Sequence, residues 1–198
     1  MQSREVTTVV LSCEDTLVDS LGAIESVAYE LARHNGESPL DRGSALAGRV
    51  VSLAAAGLPA AFEQLARERA WRYEESGEES LSRVAFLARP YADALDAVAL
   101  AALSGRRLVV LSHGDPQLTH VALRPFGDAF DAVVAPDRLR CGEESLVVST
   151  SRPVLQHASA HGAQTVWLNR GGRGRPIVPE DEWQSLAALP RCLGMGVA

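Results

Sequence analysis

The sequence predicts an α/β fold, a parallel sheet with crossover helices and an inserted all-helical segment. Three observations carry this reading. Short apolar, β-rich runs recur along the chain, each with polar or glycine residues close after it. Helix-period stretches rich in Ala, Leu, Glu and Arg separate them. One separation, residues 20–87, is far longer than the roughly a dozen residues a simple crossover needs.

The elements follow in order. Val6–Leu11 reads as the first strand. The long insert reads as helices at Leu21–His34, Ser44–Ala55, Ala60–Glu74 and Glu79–Leu87, punctuated by Gly36, Gly57-Leu58-Pro59 and Gly77. Tyr91–Leu103 has apolar residues at helical spacing, and Ser104-Gly105 ends it. Arg107–Leu111 is the second strand, followed by a helix at Leu118–Leu123 that stops before Pro125. Ala132–Ala135, Leu146–Val148 and Thr165–Leu168 complete the strands. A loop at Gly171–Pro176 and a short helix near Glu180–Leu189 make the tail. The predicted division is a core of residues 1–19 and 88–198 with a helical cap of residues 20–87 over the sheet's carboxyl edge. Ligands of parallel sheets bind beyond that edge, so a cap there predicts an enclosed pocket.

Composition narrows the class. The 198 residues are 46% hydrophobic and 22% charged, which suits a packed globular chain and argues against disorder. A net charge of −6 disfavours nucleic acid or an anionic membrane as the main partner. Cys13, Cys141 and Cys192 are odd in number and widely spaced, against a disulfide framework or a structural zinc site. No apolar run approaches the ~18 residues of a membrane span, and the N-terminus reads as a strand rather than a signal peptide. The expected location is cytoplasmic. All nineteen basic residues are Arg, so no step that needs a lysine amine can operate.

The strand ends carry a family likeness. VVLSCEDTLVDS, LVVLSHGDPQL, FDAVVAPDRLR and LVVSTSRPVLQHASAHGAQTVWLNR occur in this order and spacing. They resemble the four motif segments of the haloacid dehalogenase superfamily, with most likeness to the type II L-2-haloacid dehalogenases. The resemblance covers nearly all the core and implies a Rossmann-like sheet, a helical cap and a homodimer. Its chemistry does not carry over. The family's aspartate nucleophile falls on Ser12, the second aspartate of the phosphatase members on Glu14, and the glycine after it on Asp15. Thr16, Leu17 and Asp19 keep the pattern. The second-motif serine is matched by Ser112 and the asparagine after it by His113. The catalytic lysine belongs just after Arg138-Leu139-Arg140, where Cys141-Gly142 leads almost directly into the next strand, so the helix of that segment is missing. In the fourth motif the aspartate falls on Val154 and the asparagine on Ser151.

Each replacement has a chemical meaning. A serine hydroxyl is not ionised at neutral pH and attacks only with an adjacent base. Ser12 and Val154 cannot replace hard oxygen ligands of Mg²⁺, so no metal and no cofactor is expected. What remains is acid–base chemistry on a small organic molecule, with Glu14 and His113 as proton carriers. Ser12, Asp15, Ser112, Asp115 and Ser149 are then the polar groups that orient the substrate. The expected function is a repurposed cyclase, isomerase or dehydratase of secondary metabolism. The alternatives are a non-catalytic binding or regulatory relative, and a residual hydrolase that uses serine or a water activated by Glu14. The blander readings are an eroded, solvent-facing Glu14, an Asp15 that only caps a turn, and a loop histidine at His113. His157 and His161, four apart on a helix, read as surface or packing residues, Cys141 as a loop thiol and the Gly171–Arg175 run as a flexible loop. Arg42, Arg49, Arg67, Arg69, Trp71 and Tyr73 of the cap read mainly as a solvated face with Trp71 packed. One outcome follows from the motif replacements alone: halide release from 2-haloacids and hydrolysis of p-nitrophenyl phosphate should both stay at background, with and without Mg²⁺.

Overall fold

The computed structural model describes residues 5–37, 43–54, 57–72, 77–114, 116–170 and 181–195. The chain divides into two compact units, Met1–Val18 with Pro90–Ala198, and Asp19–Arg89.

The first unit is built on a six-stranded sheet, all of its pairs parallel. Its strands are β1 (Thr8–Ser12), β2 (Arg107–Leu111), β3 (Ala132–Val134), β4 (Ser145–Ser149), β5 (Gln164–Leu168) and β6 (Asp181–Trp183), in the order β3-β2-β1-β4-β5-β6. The central strands are near-continuous Val and Leu because both of their faces are covered. Val9, Val10 and Leu11 of β1 are all fully buried. Helices α5 (Ala92–Ala102), α6 (Pro116–Leu123), α7 (Arg152–Ala160) and the short α8 (Leu189–Cys192) belong to this unit. α7 packs on β4 and β5, while α5 packs on β2, on α8 and on a 3₁₀ turn at Leu186–Ala188. This is the predicted α/β architecture with a Rossmann-type parallel sheet.

The second unit holds α1 (Ser20–His34), α2 (Gly43–Leu53), α3 (Leu58–Arg69) and α4 (Gly77–Leu87). α1 packs on α2 and α4, and α3 on both of those. Asp19 caps α1 by accepting a hydrogen bond from the Gly22 N–H at 2.9 Å, which satisfies one of the helix's free donors. The buried face reads directly from the apolar spacing: Ile24, Val27, Ala28 and Leu31 on α1, and Phe62, Leu65 and Ala66 on α3.

The tail differs from expectation. Instead of one helix near Glu180–Leu189, Asp181–Trp183 adds a sixth strand to β5, and helix begins only at Leu186. The acidic-aromatic DEW segment has little helix pattern of its own, and pairing with the open edge of β5 satisfies its backbone groups. Glu180 and the Gly171–Pro176 loop lie outside the described residues. The third helix of the insert begins at Leu58 rather than Ala60 and ends at Arg69, where Ala70 takes a left-handed φ of 53°. Among the described residues no helix is long and apolar enough to cross a membrane.

Two glycines of the second unit face opposite constraints. A Cβ on Gly77 would stand 2.6 Å from the backbone oxygen of Pro59, so α4 begins where only a hydrogen fits. A Cβ on Gly48, within α2, would meet nothing within 4 Å. Gly77→Ala should therefore lower stability by about 1–3 kcal/mol through forced backbone movement. Gly48→Ala should be neutral or raise it by up to about 1 kcal/mol through helix propensity. Urea unfolding midpoints of the two variants test the pair.

Candidate functional site

The parallel register determines which polar groups meet at the carboxyl end of β1. Ser12 stands opposite Leu111 of β2, and Leu11 opposite Val148 of β4, which brings Ser12 beside Ser149. The Ser12 hydroxyl donates to Ser149 Oγ at 2.6 Å, and Ser149 Oγ also accepts from the Ser151 N–H at 2.9 Å. Both serines are buried. Ser12 is therefore tied sideways into the next strand.

Beyond Ser12 the backbone turns tightly. The Cys13 N–H donates to the Leu111 carbonyl at 2.7 Å, and the Cys13 carbonyl accepts from the Leu17 and Val18 N–H groups. Asp15 takes a left-handed φ of 54° and donates its N–H to the Val18 carbonyl at 2.8 Å. Aspartate tolerates that region better than most residues. The turn carries Glu14 towards β2. Ser112, just past the end of β2, donates its hydroxyl to Glu14 Oε1 at 2.6 Å. The His113 N–H reaches Glu14 Oε2 at 3.4 Å, the long end of a hydrogen bond. The Ser112 hydroxyl also accepts from the Gly114 N–H at 3.1 Å and shares a hydrogen bond with Thr119 Oγ1 at 2.9 Å. Ser112, Gly114 and Thr119 line one end of a cavity of about 470 Å³ that runs along α6 to the free edge of β3.

The sequence-derived candidates thus fall into two separate clusters, Ser12 with Ser149 and Glu14 with Ser112 and His113. His113 meets Glu14 through its backbone, and its side chain is exposed. Asp15 shapes the turn. Asp115 lies outside the described residues, as do Arg42, Tyr73 and the Gly171–Arg175 run. His157 and His161 stack on each other at the end of α7, ring centroids 4.4 Å apart, and both are exposed. Two of the insert's arginines are engaged in ion pairs, Arg49 with Glu68 at 2.6 Å and Arg69 with Glu37 at 3.5 Å. Trp71 is half-buried and donates its indole N–H to Glu37 at 2.7 Å. Cys13 sits between the two clusters, but burial, and then the Glu14 and Asp15 carboxylates, push its thiol far up. It stays a protonated thiol rather than a nucleophile.

Three residues of this region escaped the sequence reading. Thr119 is one; its place on the first turn of α6 was the available signal. Arg170 and Asp93 are the others. Arg170 follows β5, stacks its guanidinium 3.9 Å from the Tyr91 ring centroid, and donates to Asp93 Oδ2 and to the Thr16 carbonyl, both at 2.9 Å. Asp93 Oδ2 also accepts from Ser185 Oγ at 2.6 Å and from the Leu186 N–H at 2.8 Å. A single conserved-looking spacing would not have linked positions so far apart in the chain.

The arrangement does not suit a divalent ion. Ser12 presents a neutral hydroxyl already bonded to Ser149. Val154 packs into an apolar cluster with Val10, Leu111 and Trp167. Among the described residues no group of three or more His, Cys, Asp or Glu side chains can hold a metal. Glu14 alone is too few hard ligands for Mg²⁺.

The six-stranded parallel sheet and its crossovers have the fold of the haloacid dehalogenase-like proteins. Solved structures with this likeness include an L-2-haloacid dehalogenase from Xanthobacter autotrophicus with chloropropionic acid covalently bound, at 19% identity, covering 98% of this chain and 100% of that one, with a TM-score of 0.72. A putative HAD-hydrolase from Bacillus subtilis bound to magnesium matches at 16% identity over 96% and 99% of the two chains, TM-score 0.77. A HAD phosphatase from Thermococcus onnurineus matches at 20% over 96% and 98%, TM-score 0.62. No protein-family model and no curated protein matches the sequence. At these identities the likeness concerns the fold.

Asp93 gives the region a pH signature. Burial by itself raises its pKa, but hydrogen bonds from Arg170, Ser185 and the Leu186 N–H, with the Arg170 charge, outweigh it and hold the carboxyl below its usual range. A depressed folded-state pKa means stability that is present above the unfolded value, about 3.9, and lost as pH falls below it. Asp93→Asn should lower stability at neutral pH and flatten the acid limb below about pH 4, read from urea midpoints between pH 7 and pH 3.

Proposed function

We propose that the protein is a metal-free acid–base enzyme acting on a small organic molecule, a cyclase, isomerase or dehydratase in class, with Glu14 as the principal proton carrier. The observation that carries this is the Glu14 carboxylate held by the Ser112 hydroxyl at 2.6 Å, at the end of the sheet where parallel α/β proteins bind ligands. Holding a carboxylate in one orientation is what proton transfer to or from carbon requires, because the transfer proceeds only within hydrogen-bond reach. The exposed His113 is the second carrier in this reading, and Ser12, Asp15, Ser112, Asp115 and Ser149 orient the substrate. The likeness to a dehalogenase solved with chloropropionic acid makes a small organic acid the first class to test. Within the same reading the protein works in biosynthesis, in the cytoplasm, as a homodimer, with neither nucleic acid nor membrane as partner.

Against a residual hydrolase stand the hydroxyl of Ser12, directed to Ser149 rather than to a base, and the raised thiol of Cys13. A nucleophile without a base has no route to an ester or to halide displacement. A non-catalytic ligand-binding relative is the competing reading, favoured by the engagement of both Glu14 oxygens within the protein.

Proton exchange separates the two. A panel of small keto acids, hydroxy acids and enones incubated in D₂O should show deuterium entering at carbon in at least one member. Glu14→Gln should slow that exchange about a hundredfold or more, and His113→Ala should shift its pH profile. Exchange undiminished in Glu14→Gln would remove Glu14 from the chemistry, and a panel inert to the wild type would favour the ligand-binding reading.

A further inference from the structure

The connection from β3 to β4 is unusual for a parallel sheet. It must pass β2 and β1, three strand spacings or about 14 Å, and such crossovers are ordinarily helical. Here it occupies residues 135–144, and its only regular element is a 3₁₀ turn at Pro136–Arg138. α7 packs on β4 and β5, and its Val154 and Leu155 belong to the same apolar cluster as Val10 of β1 and Val109 and Leu111 of β2. Leu139 is buried and packs into the sheet's apolar cluster with Val10, Val109 and Val147, and Cys141 packs against its edge.

A cavity of about 360 Å³ remains beside this thin cover. Its apolar lining is the half-buried Val134 and Cys141 with the buried Val109 and Leu139 behind them, and its rim carries Arg107, Arg138 and Arg140. All three arginines are exposed, and among the described residues none of them forms an ion pair. One carboxylate, Glu144, also lines the cavity; Asp137 and Glu143 lie on the same crossover outside the lining. Three guanidiniums gathered around one apolar recess are notable in a chain of net charge −6. The recess reaches from Arg107, Thr8 and Ser145 at the starts of β2, β1 and β4 to Val134 at the carboxyl end of β3.

We propose that this recess is a second ligand site, for a small amphipathic anion whose phosphate or carboxylate head meets the arginines and whose short apolar chain lies on Val109, Val134 and Leu139. Guanidinium forks bind such heads with paired, charge-assisted hydrogen bonds, and burying the chain recovers the apolar surface that a crossover helix would have covered. The site is independent of the chemistry proposed for Glu14.

Calorimetric titration with octyl phosphate, octanoate, inorganic phosphate and n-octanol tests it. Saturable binding of octyl phosphate or octanoate is expected, with inorganic phosphate and n-octanol each about tenfold or more weaker, and the ratio of the two chain-bearing anions identifies the preferred head. Arg138→Ala/Arg140→Ala should weaken binding about tenfold or more, and Arg107→Ala measurably, while Glu14→Gln leaves it unchanged. Position is checked in a Cys192→Ser background, where the bound anion should slow alkylation of Cys141, which also lines the recess. Inorganic phosphate binding as tightly as octyl phosphate, an unaffected double-arginine variant with a wild-type melting curve, an unprotected Cys141, or no saturation with either chain-bearing anion at millimolar concentration would each overturn the proposal.

Discussion

The carboxyl end of β1 is organised by one constraint: a carboxylate held there has no lysine in the chain to neutralise it. Position 12 is buried between β2 and β4, and an ionised side chain in that place would carry a desolvation cost. A serine there is neutral and closes its hydrogen bond on Ser149. The negative charge stands instead two residues further on, where the turn through Asp15 leaves Glu14 half-exposed and within reach of the Ser112 hydroxyl and the His113 N–H. The separation of a neutral hydroxyl pair from a solvated carboxylate is thus an electrostatic solution to the same strand end.

Much of this architecture was legible because each signal was local. Val-Leu runs flanked by Gly or polar residues mark strands whose faces are both buried, and five of the six emerged where those runs lie. The sixth, Asp181–Trp183, has no such pattern; it is a strand only because β5 offers an unpaired edge, a fact that belongs to the sheet and not to the segment. The site shows the same division. Glu14, Ser112 and Ser12 could be named from their positions after strands, yet their partition into two clusters depends on which way the Cys13–Val18 turn swings, and that is set by the left-handed φ at Asp15. Arg170 and Asp93 lie far apart in sequence, and only the packing of α5 against the end of the sheet joins them through Ser185 and Leu186.

The short β3–β4 connection ties the two ends of the sheet together. Crossovers between parallel strands are ordinarily helical, and this one holds only a 3₁₀ turn. Without a helix of its own, the crossover lays Leu139 into the sheet's apolar cluster and Cys141 against its edge. At the carboxyl end the polar groups are satisfied by the Ser12–Ser149 and Glu14–Ser112 hydrogen bonds. On the sheet face Leu139 and α7 join Val109 in a buried cluster, while Val134 stays half-buried beside the recess. A sheet face normally packs at close to crystal density, and a recess over valines is retained at a cost in dispersion contacts unless something occupies it. The arginines around its rim say what kind of molecule offsets that cost.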